Sequence, residues 1–159
     1  MNAAPRSGVQ VHNFAGRKGV PTARSFERWF RATLRGQARK HWHVNIAVVG
    51  TRQARELNRR YRALDYATNV LSFPFEPLPG QKSSLLGDLA LCAPVIAREA
   101  AEQGKLPRDH FAHLTIHGVL HLLGFDHESQ ADAERMENLE RKILGRLGLP
   151  DPYASRYQR

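Results

Sequence analysis

A chain of 159 residues with 42% apolar content is long enough to bury one core, and no apolar run approaches the roughly 20 residues of a membrane-spanning helix. Its single cysteine, Cys92, excludes an intramolecular disulfide, and no apolar segment follows the basic start as in a signal peptide, so a cytosolic chain is expected. The net charge of +9 is uneven: residues 1–62 carry 14 Lys/Arg against two acids, whereas residues 63–159 carry 10 against 13, so the first part reads as a polyanion-binding surface.

Residues 1–8 read as a frayed tail, and Val9-Gln-Val-His-Asn13 alternates as a first strand. Thr22 is an expected N-cap. Behind it, Phe26, Trp29, Phe30, Thr33 and Leu34 follow the i, i+3, i+4 spacing of an amphipathic helix, with Arg24, Arg28, Arg31 and Arg35 on its other side. Val44 to Gly50 is a β-branched strand. Thr51 is expected to cap a second helix that turns Ala54, Leu57 and Tyr61 inward and Arg52, Arg55, Arg59 and Arg62 outward. Asp65 to Thr68 reads as a turn. Val70 to Pro74 is a short edge strand, because Pro74 cannot donate to a ladder. Glu76 to Ser84 is a loop.

Leu85 to Cys92 is a strand that can pair with its predecessor. Pro94 and Gly104 bracket a third helix, and Pro107 opens a fourth. That fourth helix, with Phe111, Leu114, Ile116, Val119, Leu120, Leu122 and Leu123, is apolar nearly all round and should be central and buried. Ser129 with Asp132 resembles a capping box for a last helix, whose inner stripe is Met136, Leu139, Ile143 and Leu147 and which Gly148 and Pro150 end. The expected class is α+β. A small mixed four-stranded sheet packs against a central helix in one domain, 9–153, followed by a short tail, 154–159.

The chemistry gathers on that helix, in His117-Gly-Val-Leu-His121-Leu-Leu-Gly124-Phe-Asp126-His127. Residues four apart share a helix face, so His117 and His121 can point at one ion. Gly124 tolerates the left-handed conformation of a helix stop, and the returning chain can bring His127 as a third nitrogen ligand. Three protein ligands with an open fourth position describe a catalytic zinc site, although nickel and copper also suit imidazoles. His113 extends the ladder by one turn and reads as a satisfied core or rim histidine. The pattern is close to that of the metzincin proteases, but Gly118 stands where their general-base Glu would be. A glycine there permits close approach, either of a packed neighbour or of substrate.

These residues, with Leu57-Asn-Arg-Arg-Tyr-Arg62-Ala-Leu-Asp65, Thr68-Asn-Val-Leu-Ser-Phe-Pro-Phe75, Leu86-Gly-Asp-Leu89 and Asp151-Pro-Tyr153, resemble the YbeY family of bacterial zinc-dependent endoribonucleases and rRNA maturation factors. The resemblance runs from about Val44 to Tyr153. It implies a cytoplasmic, single-strand-specific RNA endonuclease acting in 16S rRNA maturation, late ribosome assembly and ribosome quality control. The implied partners are single-stranded RNA and rRNA, the small ribosomal subunit and its proteins, and an assembly GTPase, with no membrane. It also implies one zinc ion on His117, His121 and His127 and a functional arginine at Arg62. At Ala63-Leu-Asp-Tyr-Ala67 the chain departs from the Gly-Lys-Asp-Lys-Pro turn usual in the family, so two basic contacts are missing there. Arg59 and Arg60, nearby in sequence, are the expected RNA contacts in their place.

The expected mechanism is metal-assisted hydrolysis of a phosphodiester, with Arg62 offsetting the charge that grows on the phosphoryl group. No general base stands out. Asp126 can act as one, orient a histidine, or cap the last helix, and the RNA 2′-hydroxyl can itself be the nucleophile. Two other readings stay open: an assembly factor with a mainly structural zinc, and, more remotely, a metallopeptidase drawing its base from Glu128 or Glu99.

Overall fold

The computed structural model describes residues 8–37 and 42–154. Of the expected tails, 1–8 and 154–159, residues 1–7 and 155–159 lie outside them, as does His41, while Gly8 begins the first strand. The elements in chain order are β1 (Gly8–Asn13), α1 (Ala23–Leu34), β2 (His43–Val49), α2 (Thr51–Arg62), β3 (Val70–Pro74), β4 (Leu85–Cys92), α3 (Ala93–Gln103), α4 (Pro107–Leu122) and α5 (Gln130–Arg146). The strands form one mixed sheet in the order β1-β2-β4-β3. Both contacts of β2 are parallel, and β3 runs antiparallel to β4 at an edge, as Pro74 requires. The α+β expectation holds. No helix among the described residues is long and apolar enough to cross a membrane.

Strand alternation divides the core. Val44, Ile46 and Val48 on β2, with Leu89 and Leu91 on β4, face α1 and α4 in the main cluster. Val49 and Cys92 face the other way, onto Ala54 of α2 and Val95 of α3. The stripe of α1 is wholly core: Phe26 meets Trp29 edge to face at 5.4 Å and Phe111 of α4 at 6.2 Å. Each such ring contributes roughly 1.5–3 kcal/mol through burial. Thr22 Oγ1 caps α1 by accepting the Ser25 N–H at 3.2 Å. Helix α4 is buried on nearly every side, down to His110 and Thr115.

Two details of α2 differ from the sequence reading. Its N-cap is Gly50, with Thr51 the first helical residue, and the Gly50 N–H donates to Gln53 Oε1 at 3.4 Å. Tyr61 does not turn inward. It is 59% exposed, packed edge-on against Phe73 at 5.1 Å, and the buried residue of the last turn is Asn58. Asn58 donates to the Tyr66 carbonyl at 2.8 Å and so ties the following turn to the helix. That turn begins at Ala63, held at φ +58° where an alanine is strained. On α5 the inner stripe is Met136, Glu140, Ile143 and Leu144, with Leu139 and Leu147 only partly buried. A carboxylate thus stands where the periodicity placed only aliphatic residues.

Candidate metal centre

The site starts from how α4 ends. Leu122 is its last helical residue, and Gly124 at φ +103° reverses the chain. The Phe125 N–H returns to the Leu120 carbonyl and the Gly124 N–H to the His121 carbonyl, both at 3.0 Å, the pairing of a Schellman motif. The reversal carries His127 back over the helix. Its ring centroid lies 5.7 Å from that of His117 and 5.5 Å from that of His121, and the two helical rings are 6.1 Å apart. The structure therefore brings the three expected ligands into one triangle.

The hydrogen bonds of two of these rings suit a metal. His121 Nδ1 lies 2.9 Å from the Phe125 carbonyl, an oxygen that can only accept, so Nδ1 carries the proton and Nε2 keeps a lone pair. Burial lowers the pKa of His121 against the pull of that carbonyl, and the neighbouring His117 and His127 lower it further, which favours the neutral ligand form. His117 Nδ1 lies 3.3 Å from Glu140 Oε2 and is fixed in the same sense. Among the described residues no three His, Cys, Asp or Glu donors are already drawn close enough to enclose an ion. Zinc with nitrogens at about 2.0–2.1 Å holds ring centroids roughly 5 Å apart, so the longest side of the triangle, 6.1 Å, needs to contract by about 1 Å. The donor set fits.

Glu140 is the residue that the sequence reading missed. Its side chain is 1% exposed. It accepts from His113 Nε2 at 2.6 Å, from the Tyr153 hydroxyl at 2.9 Å and from His117 Nδ1 at 3.3 Å. Burial alone would push its carboxyl up, but the bonds and charges of His113 and His117 prevail and hold it down at about 2. The signal was an acid on the buried stripe of an amphipathic helix, three residues before Ile143 and four after Met136. His113, expected as a satisfied core histidine, is one of the donors to this carboxylate. His110, to which no role was given, places Nε2 2.9 Å from Glu99 Oε1.

Gly118 resolves in favour of packing. A Cβ there would sit 2.8 Å from Leu89 Cδ2 and 3.4 Å from Ser72 Oγ, so position 118 faces the sheet and not the triangle. Asp126 Oδ1 accepts the Glu128 N–H at 3.4 Å within the returning loop, and Ser129, not Asp126, caps α5 by accepting the Asp132 N–H at 3.1 Å.

Ser72 and Phe73 are consecutive on β3 and point to opposite faces. Ser72 meets Gly118 of the metal helix, whereas Phe73 meets Tyr61 of α2. The edge strand β3 therefore has Gly118 of α4 on one face and Tyr61 of α2 on the other. Arg59 pairs loosely with Glu56 at 3.6 Å, and Arg55 grips Asp65 with two bonds of 2.8 and 3.0 Å. Arg60 and Arg62 enter no ion pair among the described residues.

Residues 10–148, which include all the strands but the first two residues of β1 and all three histidines, match the family model described as Endoribonuclease YbeY. The chain belongs to this family. An "Endoribonuclease YbeY" of Stenotrophomonas maltophilia is 58% identical over 153 residues, 94% of each chain. One from Xanthomonas euvesicatoria is 54% identical over 156 residues, 96% of each, and one from Xylella fastidiosa is 55% identical over 145 residues, 89% of each. The solution structure of TM1509 from Thermotoga maritima superposes with a TM-score of 0.58 at 23% identity, covering 89% of this chain and 91% of that one, which shows a shared fold.

Proposed function

We propose that this YbeY-family chain is a metal-dependent, single-strand-specific endoribonuclease that works in the cytoplasm on 16S rRNA maturation, late ribosome assembly and ribosome quality control. The observation that carries the reading is the triangle of His117, His121 and His127, with the outer nitrogens of two rings anchored by Glu140 and the Phe125 carbonyl. The relatives' shared description as endoribonucleases supplies RNA as the substrate class. The small ribosomal subunit with its proteins, and an assembly GTPase, are the partners this reading proposes.

In it, the three imidazoles hold one zinc ion. When bound, zinc supplies Lewis acidity toward a phosphoryl oxygen and acidifies water. Glu140 orients His117 and, with its own acceptors engaged by three donors, is not the proton acceptor. Asp126, engaged among the described residues only by a backbone N–H, is the carboxylate proposed to take the proton from the attacking water, unless the RNA 2′-hydroxyl is itself the nucleophile. Arg62 offsets the negative charge that grows on the reacting phosphoryl group. Arg59 and Arg60 bind phosphates of the same RNA and position the chain of nucleotides.

The test is metal analysis of the purified protein together with cleavage of single-stranded RNA by wild type and His121→Ala. Loss of both metal and cleavage in a folded variant is expected, and cleavage that survives metal loss would overturn the reading. Products ending in 5′-hydroxyl and cyclic phosphate would remove Asp126-activated water from the cleavage step. One observation favours a second reading, a ribosome assembly factor with a mainly structural zinc: Tyr61 of α2 and Gly118 of α4 pack on opposite faces of the edge strand β3. Normal rRNA ends in cells carrying a folded His121→Ala variant would select it.

A further inference from the structure

Beside the histidine triangle lies a cavity of about 460 Å³. It falls within the roughly 300–1,000 Å³ typical of small-ligand sites. Three histidines of α4 line it at i, i+3 and i+7, His110, His113 and His117, with successive rings 6.1 and 6.4 Å apart. Seven residues of helix span about 10 Å. One end of the cavity is thus a proposed metal ligand, and the other is a separate polar cluster of Glu99, His110, Lys105 and Asn69.

That cluster is a chain of directed bonds. Glu99 Oε1 accepts from His110 Nε2 at 2.9 Å and from Asn69 Nδ2 at 3.0 Å. Because His110 gives its Nε2 proton to Glu99, its Nδ1 is left to accept from Lys105 Nζ at 3.4 Å. The chain leaves two capacities open. Glu99 Oε2 receives only the longer Asn69 bond of 3.3 Å, and its side chain remains 25% exposed. Lys105 makes no ion pair closer than 4 Å among the described residues, so two of its three protons have no protein acceptor there. Burial pulls its ammonium below the ordinary value despite the attraction of Glu99 and Asp109.

A free anion is poorly matched, because the cavity holds Glu99 and adjoins the buried Glu140 against one ammonium. A nucleobase edge with N–H donors next to a carbonyl is well matched. Guanine offers N1–H and N2–H to a carboxylate and O6 to an ammonium. Adenine and cytosine set a bare ring nitrogen beside their amino group, and uracil has a single N–H. Val70, Leu114 and Pro152 supply apolar walls for the ring plane. Building on the nuclease reading above, we propose that this cavity receives a guanine base next to the cleaved phosphodiester, with Glu99 and Lys105 as its specificity determinants.

The test uses the full-length, zinc-loaded protein. Calorimetric titration with the 5′-monophosphates of guanosine, adenosine, cytidine and uridine isolates the base, since the phosphate is common to all four. Cleavage is measured on RNA oligonucleotides that differ only at the nucleotide beside the cut. Guanosine monophosphate is expected to bind about tenfold tighter than the others, with a similar preference in kcat/KM, as one bidentate pairing provides. Glu99→Gln should bring both ratios close to one. Equal affinity for the four nucleotides, or a guanine preference that survives Glu99→Gln, overturns the proposal. If Glu99→Gln does not fold, Lys105→Met decides, and an unchanged ratio in that variant counts against it. Selective binding by a protein that cleaves no RNA would keep the cavity and sink the nuclease reading. Cleavage without any preference, and no selective binding, would do the reverse.

Discussion

Replacing Glu140 by Gln is the sharpest probe of the metal centre. The amide keeps the shape of the side chain but has one acceptor oxygen and a donating NH₂. Three donors converge on the carboxylate, from His113 at 2.6 Å, Tyr153 at 2.9 Å and His117 at 3.3 Å, so at least one would face another donor. Holding a carboxyl at about 2 instead of its ordinary 4.5 corresponds to roughly 3 kcal/mol. That lies within the ~3–5 kcal/mol for breaking a buried charged pair. His117 loses its outer anchor as well, which should weaken zinc binding by about 10–100-fold. Competition against a chromophoric chelator measures the affinity, and urea unfolding in chelator measures the fold. The sign of the pH dependence follows from the lowered carboxyl. Its contribution is complete above the unfolded value near 4.5 and is lost as pH falls toward about 2. Metal-free wild type should therefore lose more stability over that window than metal-free Glu140→Gln does. A Gln variant that binds zinc within twofold of wild type and unfolds at the same urea midpoint would refute the argument.

Other outcomes follow from single positions. Ala63→Gly should stabilise the protein by about 1 kcal/mol in urea titration, because it relieves the left-handed strain at φ +58° that ends α2. Gly118→Ala should cost about 1–3 kcal/mol, since the added methyl meets Leu89 at 2.8 Å, and a crystal structure should show Leu89 displaced while the three histidines stay in place. Binding of a short single-stranded RNA should weaken with salt, and Arg62→Ala should lower the slope of log K against log salt by about 0.7. An unchanged slope would remove Arg62 from the RNA-binding surface.

The metal ligands were legible because their geometry is local: four residues set the helical pair, and a glycine stop sets the return. The aromatic stripe of α1 and the all-round apolar α4 were legible for the same reason. Glu140 was not. Its burial depends on α5 crossing α4, and its partners lie 13 to 27 residues away in the chain. Tyr61 misled because helical spacing marks a face without saying whether anything covers it, and α2 overhangs the edge strand there. The placing of α2 shows the same limit. Sequence could order α2, β3 and α4 along the chain, but only the packing shows Tyr61 on one face of the edge strand and Gly118 on the other.

The packing of α2 and α4 on opposite faces of β3 bears on the shape of substrate the protein can accept. If one RNA meets both the arginines of α2 and the histidines of α4, it has to fold around the rim of the sheet at β3 within a few nucleotides. A flexible strand makes such a turn with little penalty, whereas a double helix resists bending on that scale. Discrimination against paired RNA would then come from mechanical stiffness, without any contact that reads whether a base is paired.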